Sequence, residues 1–151
     1  MKNKDIVKKL TDLTQLDIDA VHAYKQALDN ITDDEIYRNI SSFREDHIRH
    51  VEQLSILIRT YGEEPPEFTK DFKGYFIEGF TSLRSLTGTK GALKAMETNE
   101  ILTNNTYKKA LEEDGEEDLP TEVVELLRRN YDDEKRHLDY IKTVLESKTL
   151  E

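Results

Sequence analysis

The spacing of residues between Ile36 and Tyr61 constrains the fold of this chain more than any other feature. Positions expected to be buried alternate in steps of four and three, as in a helix packed into a bundle. They are Ile36, Ile40, Phe43, His47, His50, Leu54, Leu57 and Tyr61. Two imidazoles therefore occupy positions where apolar side chains are expected, and burial of an unpartnered polar group costs roughly 1–3 kcal/mol. Neighbouring helices must supply partners for both histidines.

Three other segments show the same spacing, so the sequence predicts four long helices and an all-α fold. The first covers about residues 3–30, the second begins at a cap on Thr32 or Asp33, the third begins near residue 89, and the fourth begins near Pro120. Three further sets of positions are expected to be buried: Ile6, Leu10, Leu13, Asp17, Ala20, Tyr24, Ala27 and Ile31; Leu93, Met96, Glu100, Thr103, Tyr107 and Ala110; and Val123, Leu127, Asn130, Glu134, His137, Ile141 and Val144.

Two short links and one long one predict two helical hairpins joined by a crossover, which is one type of four-helix bundle. Gly62 ends the second helix, residues 63–88 form the crossover with one or two short helices closed by Gly88, and an acidic turn follows Glu112. The hairpins also resemble each other in sequence, which indicates an internal repeat. The matching positions are Asp17 and Glu100, Tyr24 and Tyr107, and Arg49-His50 and Arg136-His137.

Composition narrows the class of protein. The 151 residues fit one domain over residues 1–149, and we interpret Leu150 and Glu151 as a cloning scar. The formal net charge of −10 argues against a nucleic-acid partner and a membrane surface, and the lack of cysteine excludes disulfides and thiolate metal sites. Because no signal segment or long apolar run is present, we expect a cytoplasmic protein.

Six ionisable residues fall on the predicted buried stripes: Asp17, His47, His50, Glu100, Glu134 and His137. Side chains three apart on a helix face the same way, so a pair of them can reach one ion, and oxygen with imidazole ligands suits iron, manganese or zinc. A hydrogen-bonded network without metal is the alternative, although three buried carboxylates are costly without cations. Tyr24 and Tyr107 are interpreted either as core aromatics or as supports beside the ligands. His22 lies off the stripe and is predicted to be solvated.

These residues resemble the ferritin-like superfamily, which includes bacterioferritins and rubrerythrins, over about residues 5–147. The family pattern is a Glu from each of two helices and Glu-x-x-His from each of the other two. Asp17 and Glu100 match the first part, and Glu134 with His137 matches the second. In length and crossover the chain is most similar to a small bacterial ferritin-like family described only as a domain of unknown function.

Two departures affect what the resemblance implies. Asp17 is one methylene shorter than the usual Glu, and His47 stands where a bridging carboxylate is expected. Three carboxylates then face the four positive charges of two divalent ions, so the site holds either one ion or two less evenly bound ones. The resemblance implies an iron protein, with manganese or zinc as alternatives, whose enzymatic form is an oxidase or peroxidase. The alternative is a non-catalytic binding or stress-response module with a metal-free polar core.

Aromatic residues of the crossover are expected either to cover the protein's own core or to form a homodimer contact: Phe72, Tyr75, Phe76 and Phe80.

Overall fold

The computed structural model describes residues 2–69, 88–113, 119–147 and 150 of the chain. Four helices form the fold: α1 (Asn3–Leu28), α2 (Asp34–Thr60), α3 (Gly88–Glu113) and α4 (Thr121–Ser147). These described ranges contain no β-strand, and the predicted all-α four-helix bundle is confirmed. The short crossover helices, the four crossover aromatics and most of the acidic turn lie outside the described residues. Gly88, expected to close the crossover, is the first residue of α3.

Local chemistry fixes the helix ends near the predicted positions. Asp33 caps α2, because its Oδ1 accepts a hydrogen bond of 2.9 Å from the backbone N–H of Ile36. Gly62 follows α2 with a φ of +81°, in the left-handed region that favours glycine. Its backbone N–H donates to the carbonyl of Arg59. Pro120 precedes α4, and its carbonyl accepts from the N–H groups of Val123 and Val124.

The helices pack as two hairpins, α1 with α2 and α3 with α4, and α1–α3 and α2–α4 contacts join the hairpins. Two apolar clusters fill the bundle on either side of a polar layer. The first includes Tyr24, Ile40, Phe43, Met96 and Ile141. The second includes Leu10, Leu54, Ile58, Tyr107 and Leu127. Leu150, interpreted from the sequence as part of a cloning scar, packs against the first cluster.

Nearly every position predicted to face the interior is buried, and the exceptions are Leu57 and Tyr61, which are half-buried. One prediction of exposure is wrong. His22 is only 4% exposed, although it lies off the predicted stripe. Consecutive residues of α1 from Asp17 to Tyr24 are all buried, so this part of the helix is enclosed on every side. A one-sided stripe cannot predict exposure in such a segment. Burial also lowers the pKa of His22, and the charges of Arg44 and Lys25 act in the same direction.

Candidate metal centre

The four helices bring the six predicted residues together in the polar layer between the apolar clusters. Each is at most 1% exposed. They form two overlapping groups, and within each group the potential ligand atoms lie within 4.8 Å of one another. The Asp17 group contains Asp17, His47, His50 and Glu134, and the Glu100 group contains His47, Glu100, Glu134 and His137. His47 and Glu134 therefore belong to both groups.

Short contacts hold the Asp17 group. His47 Nδ1 lies 2.7 Å from Asp17 Oδ1, and His50 Nδ1 lies 3.0 Å from the same oxygen. His50 Nδ1 is also 3.6 Å from Glu134 Oε1. One carboxylate oxygen therefore accepts hydrogen bonds from two imidazole rings.

Contacts in the Glu100 group are longer on average. His47 Nε2 lies 3.1 Å from Glu100 Oε2 and 3.4 Å from Glu134 Oε2. His137 Nδ1 lies 3.4 Å from Glu100 Oε2 and 3.7 Å from Glu134 Oε2. Two nitrogens and two oxygens therefore face one another from α2, α3 and α4.

Hydroxyl groups hold the carboxylates from behind. The Tyr24 hydroxyl donates to Glu100 Oε2, and the Tyr107 hydroxyl donates to Asp17 Oδ2. Thr103 Oγ1 lies 3.0 Å from Glu100 Oε1 and 3.1 Å from Glu134 Oε2. Each tyrosine comes from the hairpin opposite to the one that carries its acid. Both tyrosines are thus core aromatics that also contact the cluster.

The sequence analysis missed an outer layer formed by Asp46 and Asp133. Asp46 Oδ2 lies 2.8 Å from His137 Nε2, and Asp133 Oδ2 lies 2.9 Å from His50 Nε2. Each aspartate pairs with arginines of both hairpins, Arg49 and Arg136. The signal was present in the sequence. Both hairpins carry Asp-x-x-Arg-His, and these residues at i, i+3 and i+4 share one side of a helix.

Hydrogen bonding determines the charge of the histidines. Both ring nitrogens of His47 and of His50 lie within hydrogen-bond distance of carboxylate oxygens, so in the absence of metal each ring carries two N–H groups. Burial alone lowers a histidine pKa, but the carboxylates outweigh it here. They raise the pKa of His47 and His50 well above the usual value and that of His137 to about 10.

The three central carboxylates differ in how well they are stabilised. Burial raises the pKa of Asp17, but the charge of His50 and hydrogen bonds from His47 and His50 lower it to about 2. Glu100 likewise keeps a pKa well below its ordinary value, because its contacts with the His137 and His47 rings outweigh its burial. Burial raises the pKa of Glu134, and the neighbouring charge of Glu100 adds to the rise although His47 opposes it. Glu134 is therefore the carboxylate with the least compensated charge.

Two buried atoms test whether the cluster fits a metal ion. Glu134 Oε1 and His137 Nδ1 have no hydrogen-bond partner within the described part of the chain. Such atoms are rare, because an unsatisfied buried polar group costs about 1–3 kcal/mol. Both are ligand atoms, and carboxylate with imidazole is a donor set that suits iron, manganese or zinc. The residues of the cluster fit a metal ion.

Comparison with known proteins gives the family. The model of a family described as Domain of unknown function (DUF2383) matches residues 5–113. The chain belongs to this family. The match covers α1, α2 and α3, so Glu134 and His137 of this DUF2383 chain lie beyond it. No curated protein matches the chain.

A solved structure supports the fold. The chain is similar to the crystal structure titled ferritin like, diiron-carboxylate proteins from Bacillus anthracis str. Ames, with a TM-score of 0.75 and 18% sequence identity. The similarity covers 96% of this chain and 99% of that one. The DUF2383 chain thus has a ferritin-like four-helix-bundle fold with a buried His/Asp/Glu cluster that could hold metal. Within the described residues, no helix is long and apolar enough to span a membrane.

Proposed function

We propose that this protein binds a divalent transition-metal ion, iron being the first candidate, in the buried cluster. The observation that carries this proposal is the pair of unpartnered ligand atoms, Glu134 Oε1 and His137 Nδ1, inside a set of carboxylates and imidazoles. A cation bound by Glu134 and His137 would occupy His137 Nδ1 and compensate the charge of Glu134. The fold shared with a structure titled diiron-carboxylate supports the choice of iron.

The surroundings of the cluster suit a metal that reacts with small molecules. An iron ion would supply redox chemistry with oxygen or peroxide, and on this basis we propose an oxidase or peroxidase activity. The chain's own contribution is to exclude bulk water with an apolar cluster on each side of the layer. Tyr24 and Thr103 fix the orientation of the Glu100 carboxylate. Asp46 fixes the ring of His137 through its Nε2.

A metal-free structural core is the second candidate, and one observation favours it. Both ring nitrogens of His47 and of His50 lie within hydrogen-bond distance of carboxylate oxygens. A network of this kind can hold four helices in register by charge pairing alone. Breaking a buried pair costs about 3–5 kcal/mol, so such a network is important for folding even without metal.

Metal analysis of protein purified without chelator tests the proposal. We expect iron, manganese or zinc in a simple ratio to the chain. Metal that binds only the folded state raises the free energy of unfolding by about 2.7 kcal/mol at a free concentration one hundred times its dissociation constant. The melting temperature of the metal-depleted protein should therefore rise on addition of metal.

A pair of variants makes this test specific. Glu134→Gln removes the carboxylate with the least compensated charge and should abolish the metal-induced rise. Glu125→Gln makes the same chemical change at an exposed position of α4 and should retain it. A wild-type melting temperature that does not respond to iron, manganese or zinc would reject metal binding and leave the structural core. Binding of zinc without any iron oxidation would reject only the redox activity.

A further inference from the structure

This inference rests on the proposed function and concerns the number of ions that the cluster holds. We propose that the cluster binds a single four-coordinate ion in the Glu100 group, and that hydrogen-bonded side chains of the Asp17 group occupy the place of a second ion. The four ligand atoms are His47 Nε2, His137 Nδ1, Glu100 Oε2 and Glu134 Oε2.

Four of the six ligand–ligand distances in the Glu100 group are close to those around a tetrahedral ion. Ligand atoms about 2.1 Å from a zinc-like ion at the centre of a tetrahedron lie about 3.4 Å from one another. The four nitrogen–oxygen distances that join His47 Nε2 and His137 Nδ1 to Glu100 Oε2 and Glu134 Oε2 are 3.1, 3.4, 3.4 and 3.7 Å. Once these two ring nitrogens are deprotonated, an ion can therefore enter with ligand movements of a few tenths of an ångström.

The Asp17 group is closed by comparison. Its contacts of 2.7 and 3.0 Å to Asp17 Oδ1 are hydrogen-bond lengths, and the hydrogens lie between the atoms that an ion would have to join. An ion could enter only if both hydrogen bonds to Asp17 Oδ1 broke and the Asp17 carboxylate moved. His137 Nδ1, the counterpart of His50 Nδ1 in the other hairpin, has no hydrogen bond to break.

The two nitrogens of an imidazole also limit the number of ions. His47 holds Asp17 through Nδ1–H, which leaves only Nε2 to bind an ion. This is the carboxylate–histidine–metal arrangement that orients metal-bound histidines in other proteins. A neutral imidazole cannot bridge two ions, because one of its nitrogens keeps a proton. His50 uses Nδ1 on Asp17 at 3.0 Å and Nε2 on Asp133 at 2.9 Å, so an ion would have to displace one of these hydrogen bonds.

The balance between the charges of the ions and of the carboxylates also favours a single ion. One divalent ion neutralises the carboxylates of Glu100 and Glu134 in a layer without exposed side chains. A second ion would bring the positive charge to four against three central carboxylates, and an uncompensated buried charge is costly. Asp17, predicted from sequence as a ligand, then serves to position His47, and His50 holds Asp17 in place.

Cobalt titration of the metal-depleted wild-type protein tests this inference. Tetrahedral Co²⁺ has much stronger visible bands than six-coordinate Co²⁺, because its ligand field lacks a centre of symmetry. We expect the bands to saturate at one Co²⁺ per chain with tetrahedral intensity. Two ions per chain, or one with weak six-coordinate bands, would overturn the inference while metal binding stood. Absence of bound cobalt would instead reject the proposed function together with the inference.

Two matched variants locate the ion. His50→Gln and His137→Gln remove imidazoles that are equally buried and occupy equivalent places in the two hairpins. Loss of a contact behind a ligand costs about 10–100-fold in affinity, so loss of the ligand His137 should cost about 100-fold or more. His50→Gln should bind one ion with less than a ~10-fold loss, because His50 lies behind Asp17.

Equal losses in the two variants, or a larger loss in His50→Gln, would overturn the assignment. Circular dichroism shows whether each variant is folded. If His50→Gln does not fold, the stoichiometry and band intensity of the wild-type protein decide the question alone.

Discussion

The Asp17 side and the Glu100 side of the cluster carry matching residues, but they differ in hydrogen bonding. Each side has one acid, one histidine whose outer ring nitrogen contacts an aspartate, and one tyrosine that comes from the opposite hairpin. On one side the acid accepts two ring N–H groups at 2.7 and 3.0 Å, while on the other the His137 ring nitrogen has no hydrogen bond. A bundle of two similar hairpins can therefore have one half of its cluster closed by hydrogen bonds, the Asp17 side, and one half open to an ion, the Glu100 side.

Two sequence differences between the hairpins explain this contrast. His47 and Glu134 occupy equivalent positions, and only His47 can donate hydrogen bonds to the acids on both sides. Asp17 is one methylene shorter than Glu100, and its Oδ1 also accepts from His50. A single carboxylate-to-imidazole change thus supplies the N–H group that closes one half. In a repeat of this kind, the shared position controls both halves.

Converting the shared position to a carboxylate should have the largest effect on this contrast. His47→Glu places four carboxylates in the layer and removes a cation, so the metal-free protein should lose about 3–5 kcal/mol of unfolding free energy. The fourth anion balances two divalent ions, and we expect two ions per chain with recovery of stability on metal addition. Denaturant unfolding with and without metal, together with a metal titration, measures both effects.

His22→Glu is the control for this variant. It introduces a carboxylate at another buried histidine, outside the cluster. It should destabilise the protein, bind one ion, and show no larger metal-induced stabilisation than wild type. If His47→Glu also binds one ion, His47 is not what prevents a second ion from binding, and the explanation of the closed half is wrong.

Substitution of the outer aspartates, Asp46 and Asp133, should have an intermediate effect, which is on metal affinity. Asp46→Asn alters the group behind His137 on the open side, and such changes typically cost about 10–100-fold in metal affinity. Asp133→Asn alters the group behind His50 on the closed side and should change metal affinity less than tenfold. Both aspartates pair with partly exposed arginines, so both variants weaken the same kind of ion pair. Each variant therefore serves as the control for the other. Isothermal titration of metal into the two proteins compares them, and equal losses would mean that both sides hold metal.

The smallest effect should come from the tyrosines. Tyr24→Phe and Tyr107→Phe each remove one hydrogen bond to a buried carboxylate, worth about 1.5–3 kcal/mol of unfolding free energy. Only Tyr24 contacts a proposed ligand, Glu100, so only Tyr24→Phe should shift metal affinity and the cobalt spectrum. A spectral shift in Tyr107→Phe of similar size would show that Asp17 also binds the ion.

Much of this arrangement could be predicted from the sequence. The spacing of four and three predicted the helices and their interior sides, and six ionisable residues on those sides proved to share one layer. Helical periodicity works here because each helix buries one stripe for most of its length. It failed at His22, where α1 is enclosed on every side. The single domain over residues 1–149 stays a prediction.

Other features depended on geometry that spacing does not encode. Asp46 and Asp133 lie beside the buried stripes, and their role follows from reaching across to histidines of the opposite hairpin. The difference between the open and closed halves amounts to a few tenths of an ångström in hydrogen-bond lengths. Side-chain rotation angles determine such differences, and a residue pattern carries no information about them. The ligand assignment of the six residues also stays a prediction.

An anomalous-scattering map of crystals grown with saturating metal locates the ion within the cluster. We expect one strong peak per chain, about 2.0–2.2 Å from His47 Nε2 and His137 Nδ1. No peak is expected between Asp17 and His50. A cluster without any anomalous peak at saturating metal would show that it does not bind metal and is a structural polar core.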